Sequence, residues 1–344
     1  MRPELVPAQE RPIIKPPVWT PEIPLYFYVG GLAGGSAGFG LLSGLRGEDA
    51  IARRAWGLAL AGSAVSPALL ISDLGVPSRF LNMLRMVKVT SPMSIGSWVL
   101  AGFGTATAPA ALHAFTRGRL GAFGTAAQVT SGLLGLPLSA YTAALIANTA
   151  VPVWREARAE LPFVFCGGAA ASAGAALTLL SPVEEASAAR RLAIGGAAVE
   201  VLVAQVMERR LRALGVGAPY KRSAVHSAAK ALTLAGAAMI AARGARSRGA
   251  AITGGALVSA GALTERWAIF RAGTHSAQRP RDTVIPQRER IRSGLSRGAA
   301  RSGARRAAPE STDGTPGRRS AGYGSPAFSL VDDDASREPR VPGG

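Results

Sequence analysis

The sequence predicts an all-α integral membrane protein, a bundle of eight transmembrane helices with a disordered C-terminal tail. Three observations lead there. Eight apolar stretches, each about long enough to cross a bilayer, fill the chain from Leu25 to Phe270. A hydrocarbon core roughly 30 Å thick takes about 20 mostly apolar helical residues. Hydrophobic residues make up 48% of the chain and mean hydropathy is +0.21, although a long polar tail dilutes both. The stretches also lack the polar faces that eight helices would need to meet water, which sets a soluble bundle aside.

The predicted spans are roughly residues 25–44, 55–72, 95–115, 133–151, 162–180, 192–207, 224–242 and 250–270. Ahead of them, residues 1–23 form a Pro-rich lead. Arg2, Pro3, Pro7, Pro12, Pro16 and Pro17 favour an extended chain, and without an apolar segment before a cleavage site no removable signal peptide is expected. The first span carries Gly30, Gly31, Gly34, Gly35 and Gly38, small residues that let helix backbones approach closely in lipid. A phosphate-binding loop would need a preceding strand and G-x-G-x-x-G spacing, and neither is present.

The second span closes in Ile71-Ser-Asp-Leu-Gly-Val-Pro-Ser-Arg-Phe80, where Gly75 and Pro77 enforce a turn. Asp73 sits at the apolar boundary, and a carboxylate there is costly unless paired or hydrogen-bonded. It has two readings. It pairs with Arg79 or with backbone to hold the loop, or it exchanges protons beside a bound ligand. The third span opens in Ser91-Pro-Met-Ser-Ile-Gly-Ser-Trp98, with serines to cap the helix, Pro92 to start it and Trp98 for the interface.

The fifth span holds Cys166, expected as a small buried apolar residue. The sixth is short, ends in charge and contains Glu200, which is either a proton-path residue or a neutral acid bonded to Gln205 or backbone. Glu265 and Arg266, near the end of the last span, are expected to pair with each other and support a docking face. Residues 273–344 form a basic, Gly/Ser/Arg-rich tail without hydrophobic periodicity.

Composition removes several classes of chemistry. With one cysteine, the chain can form no internal disulfide and cannot by itself ligate an iron–sulfur cluster. His113 and His226 lie near helix ends and His275 follows the last span, so no histidine pair is placed for haem and no metal site is expected. Much of the net charge of +18 lies in the tail, broken by Asp332–Asp334, which speaks for a solvated extension and against nucleic-acid binding. Eight spans bring both termini to one side. The Lys and Arg there, including Lys15, Arg85, Lys88, Arg155 and Arg209, place that side in the cytoplasm by the positive-inside rule.

Several motifs then coincide: Pro24-Leu-Tyr-Phe-Tyr-Val-Gly-Gly-Leu-Ala-Gly-Gly35, the DLGxPxRF stretch from Asp73 to Phe80, and SPMSxGxW from Ser91 to Trp98. Tyr141-Thr142 leads to Val151-Pro-Val-Trp154, and Glu265-Arg-Trp267 leads to Gly273-Thr-His-Ser-Ala277. In this order, over residues 20–280, the chain resembles the NrfD/PsrC (polysulfide reductase membrane subunit) family. The resemblance implies an eight-helix cell-membrane subunit over residues 24–272, without its own metal centre. It would pass electrons between a ferredoxin-like iron–sulfur subunit and a quinone, menaquinone or ubiquinone, with a molybdopterin oxidoreductase as catalytic subunit. Asp73 and Arg79 match the family's loop after helix two, and Tyr141 matches a tyrosine suited to donate to a quinone carbonyl. Ala143 replaces the glycine of that stretch. Glu22 matches a polar quinone contact, or equally is a helix N-terminal acid. Arg79, Ser91, Glu265 and Arg266 are the docking candidates.

Two other classes compete. A secondary transporter would carry an internal repeat with matched broken segments in its two halves, whereas here the polar motifs crowd the first half. A structural anchor would hold a catalytic partner without quinone chemistry.

Overall fold

The computed structural model describes residues 12–73, 76, 82, 84, 85, 87, 88, 90–221, 223–289, 291, 292 and 294. The helices in chain order are α1 (Glu22–Leu45), α2 (Asp49–Asp73), α3 (Pro92–Phe115), α4 (Gly121–Ala147), the short α5 (Pro152–Glu156), α6 (Leu161–Leu180), α7 (Ser187–Ala213), the short α8 (Ala218–Lys221), α9 (Ala224–Arg243) and α10 (Arg248–Ala277). Among the described residues no strand occurs, and eight helices are long. Six of them, α1, α2, α3, α4, α6 and α9, are long and apolar enough to cross a membrane. The other two are less apolar: α7 carries Arg190, Arg191, Glu200, Glu208, Arg209, Arg210 and Arg212, and α10 carries Arg248, Glu265, Arg266 and Arg271 beside many Gly, Ser and Thr. Leu42, Leu112, Phe123, Leu136, Phe163 and Leu202 point outward, an apolar exterior suited to lipid.

The small residues of α1 make it the axis of the bundle. Its glycines divide between two neighbours. A Cβ on Gly34 would overlap the Gly135 carbonyl of α4, and one on Gly35 would lie 2.7 Å from the Ala169 carbonyl of α6. Close backbone approach of this kind replaces hydrophobic drive with dispersion packing. The α6–α7 pair packs likewise, with Gly174 set against the Ala189 carbonyl and the Ala193 amide.

Some expected boundaries move. The fourth helix begins at Gly121, well before residue 133, because its polar first turns are satisfied: Thr125 donates to the Gly121 carbonyl and Gln128 to the Ala110 carbonyl of α3. Helical structure does not stop at residue 272. Helix α10 runs to Ala277, and residues 280–289 are helical again, with Asp282 only 2% exposed. The expected disorder of the tail after residue 294, and the expected extended conformation of residues 1–11 of the lead, lie outside the described residues. Cys166 is exposed on the outer face of α6, contrary to the buried position expected; the inner face is taken by Gly167 and Gly168, which touch α7.

The lead, α5 and α10 lock together at one end. The Trp154 indole donates to the Ile269 carbonyl at 2.9 Å, stacks on Trp19 with centroids 5.6 Å apart, and covers Gly273, where any Cβ would overlap its ring. Ser276 accepts from the Val153 amide at 3.3 Å. The Val-Pro-Val-Trp and Gly-Thr-His-Ser-Ala motifs are therefore two halves of one joint. At the opposite end, Arg248 donates to the carbonyls of Thr178 and Ser181, satisfying the open C-terminus of α6.

Candidate functional site

Tyr141 lies on α4, half-buried, and its hydroxyl accepts from the Tyr26 hydroxyl of α1 at 3.3 Å. Tyr26 is 1% exposed and also packs near Phe27, with centroids 6.2 Å apart. In this orientation the Tyr26 proton is spent on the pair, which leaves the Tyr141 hydrogen for a further acceptor. The third wall is Gly96 on α3: its Cα faces the Tyr141 ring so closely that a Cβ there would overlap three ring carbons. The Ser-Pro-Met-Ser-Ile-Gly-Ser-Trp stretch thus contributes a bare patch of backbone on which the phenol lies.

Asp73 ends α2 and reaches across to the start of α1. Its Oδ1 accepts from the Thr20 amide at 2.9 Å and from the Thr20 hydroxyl at 2.6 Å. Of its two expected roles, the structure displays the tethering geometry, with Thr20 as the backbone partner. Glu22, the first residue of α1, also uses Thr20 as a hydrogen-bond partner, beside the helix N-terminus that favours an acid. Arg79, Gly75 and Pro77 lie outside the described residues. Ser91 caps α3 by accepting from the Ser94 amide at 3.4 Å, while the Ser94 hydroxyl accepts from the Lys88 amide at 3.0 Å. Tyr26 follows Thr20 by six residues, across the start of α1, so the tyrosine pair and the Asp73 tether lie at the same end of the bundle.

A family model described as polysulfide reductase, of the NrfD type, matches residues 14–279. The chain belongs to the NrfD polysulfide reductase family. A search of curated proteins finds no match. The matched span holds all eight long helices, and this NrfD-family chain is a multi-pass membrane protein.

The remaining candidates of this NrfD-family chain form a second, separate cluster. Glu265 and Arg266 do not pair with each other as expected; both are buried, at 3% and 2% exposure, and are turned to different partners. Arg266 donates to Glu200 Oε1 at 3.1 Å and to the Phe165 carbonyl at 3.1 Å, and lies over the Phe165 ring 4.2 Å from its centroid. Glu200 therefore pairs with Arg266 and not with Gln205. Gly168 makes the room, since a Cβ there would overlap both Arg266 and Glu200. Glu265 Oε2 is 2.9 Å from His226 Nδ1, and His226 Nε2 is 2.6 Å from Glu208 Oε1, which Lys230 also contacts. The edge of Tyr220 meets the His226 ring at 5.1 Å. Burial, then the Glu265 and Glu208 carboxylates, raise the Tyr220 hydroxyl well above its ordinary range, so it stays protonated.

Tyr26, His226, Glu208 and Lys230 were absent from the sequence-derived candidates. Tyr26 stood inside a family-like motif, which was a usable signal. The others lie on two helices: His226 and Lys230 stand four apart on α9, but Glu208 on α7 is 18 and 22 residues away, and no spacing rule joins it to them.

Proposed function

We propose that this chain is the quinone-interacting integral membrane subunit of a multi-subunit oxidoreductase. It passes electrons between a docked iron–sulfur subunit and the quinone pool of the cell membrane, with eight crossings and both termini in the cytoplasm. The observation that carries this reading is the Tyr26–Tyr141 hydroxyl pair between α1 and α4, floored by Gly96. The donor set fits a quinone head group: Tyr141 keeps a hydroxyl hydrogen for a carbonyl, Gly96 seats its phenol ring, and the Gly/Ala-rich helices supply apolar walls.

A bound quinone, menaquinone or ubiquinone, would supply two-electron, two-proton redox chemistry. The chain's own residues do the rest. Tyr141 orients the head group by donating one hydrogen bond, and Tyr26 fixes the Tyr141 hydroxyl by donating to it. Asp73 is the proton-exchanging acid of this end, held in place through Oδ1 by the Thr20 tether. Membership of the family implies other subunits in a complex. With a single cysteine the chain cannot ligate a cluster, so electrons arrive from a partner, an iron–sulfur protein fed in turn by a molybdopterin oxidoreductase.

Purification from native membranes in mild detergent, with iron and molybdenum quantified in the eluate, tests the assembly. An iron-containing partner that reduces or oxidises added quinone supports the reading. A stable, metal-free chain purifying alone after gentle extraction sinks it and turns attention to transport.

A further inference from the structure

The second cluster has a feature that a purely structural ion-pair network would not need. Two buried carboxylates each keep an oxygen without a hydrogen-bond partner among the described residues, Oε2 of Glu200 and Oε1 of Glu265. Both residues line the same small cavity between α7, α9 and α10, together with Lys230 and Thr233. About 10 Å³ of it is open to the centre of a water molecule, roughly the room for one. On its other side Glu265 holds His226, and His226 holds Glu208, whose side chain is 12% exposed at the edge of the bundle. From Glu208 to Glu200 is eight residues of α7, a depth of about 12 Å.

We propose that Glu208, His226, Glu265 and Glu200 form a one-proton shuttle that loads a buried site at Glu200 from the surface beside Glu208. The proton has two resting places. In the first, His226 is an imidazolium donating to Glu208 and Glu265, and Glu200 is ionised beside Arg266. In the second, the Nδ1 proton has moved to Glu265, a half-turn of that carboxyl has delivered it to the cavity, and Glu200 Oε2 has taken it. Imidazole and Glu200 are then both neutral and Glu265 is ionised again, so the cluster's charge is unchanged. A half-turn of the imidazole then carries the hydrogen remaining on Nε2 toward Glu265 and the bare Nδ1 toward Glu208, which passes it a proton taken from water and restores the imidazolium.

The groups facing this path come from every neighbouring helix. Arg266 and Glu265 face Glu200 from α10, Tyr28 lies close on α1, and Lys230 shares the cavity from α9. Cys166 of α6 stands near Arg266. Tyr220 meets His226, and Lys230 contacts Glu208, which favours its ionised form. Gly168 is the device that admits the Arg266–Glu200 pair to this depth. The shuttle stands apart from the Tyr26–Tyr141 pair and does not depend on quinone chemistry.

Infrared difference spectroscopy on the full chain in lipid nanodiscs, without quinone or partner, tests it. The expected spectrum has a protonated-carboxyl band that grows as pH falls, disappears in Glu200→Gln and persists in Glu208→Gln. On transfer to heavy water, the deuterium shift of that band slows by about tenfold or more in His226→Gln. Should that variant fail to fold, Glu208→Gln, whose amide still reaches the imidazole, carries the kinetic test and slows the shift likewise. Absence of a band assignable to Glu200 overturns the proposal. So does an unchanged deuterium shift in a folded variant. Because no quinone is present, failure here leaves the quinone reading standing, and failure of the quinone assay leaves this one.

Discussion

The Tyr141 ring packs against the bare backbone of Gly96, so close that one methyl group on Gly96 would overlap it. Two stretches 45 residues apart in number, one glycine and one tyrosine, are thus a single geometric unit. Gly96→Ala is expected to push the phenol away from Tyr26 and to slow quinone-coupled turnover about as much as Tyr141→Phe does. For loss of one hydrogen bond to a group gaining charge, that is about tenfold or more. Turnover of assembled Gly96→Ala, Tyr141→Phe and Tyr26→Phe complexes is the measurement, and normal rates in all three remove the tyrosine pair from the site.

Asp73 can be divided into its two roles. Asparagine keeps an Oδ1 acceptor for Thr20 but cannot exchange a proton, whereas alanine loses both functions. Asp73→Asn is expected to assemble and melt like the native chain while slowing quinone-coupled turnover. Asp73→Ala should in addition lower stability by about 1–2 kcal/mol. Equal turnover in Asp73→Asn and the native complex would reduce Asp73 to a tether.

The Glu200–Arg266 pair is buried on both sides, so breaking it leaves an uncompensated charge. Arg266→Gln is expected to destabilise the bundle by about 3–5 kcal/mol, and the Glu200→Gln/Arg266→Gln double variant to recover most of that loss. Thermal unfolding of the four proteins in one detergent closes the cycle.

Trp154→Phe keeps the stack on Trp19 but removes the indole donor to the Ile269 carbonyl. A cost of about 1–2 kcal/mol is expected, read as a lower melting temperature.

Asp282 supplies a pH test outside the spans. Burial raises its carboxyl above the ordinary aspartate range, against the smaller opposing effects of Arg279 and Ser276. A carboxyl raised in the folded state favours folding while protonated, and that advantage fades as pH rises through the unfolded and then the folded value. Asp282→Asn should therefore melt higher than the native chain at neutral pH, with the gap closing in acid. A gap independent of pH would show that ionisation of Asp282 plays no part.

The bundle was legible in the sequence because apolar length is a property of each segment alone. The start of α4 was not, since Gly121–Gln128 is held by carbonyls of its own helix and of α3 rather than by apolar content. Tyr141 was legible through its motif. Its partner Tyr26, 115 residues away, was passed over because pairing across helices leaves no periodic trace. His226 looked idle for the same reason, and Glu265 and Arg266 looked mutually paired because adjacency in sequence is visible and helical divergence is not. Adjacent residues on a helix point about 100° apart, which sends one acid to α9 and its neighbouring base to α7.

The two glycine faces of α1 have a consequence for biogenesis. Chains are made from the N-terminus, so α1 enters the membrane before either surface that fits it exists. Gly34 waits for Gly135 on α4, and Gly35 for Ala169 on α6, about a hundred and more residues of synthesis later. Until then both glycine faces of α1 stand without the helices that fit them. A helix inserted ahead of its partners is thus sealed only after both of them.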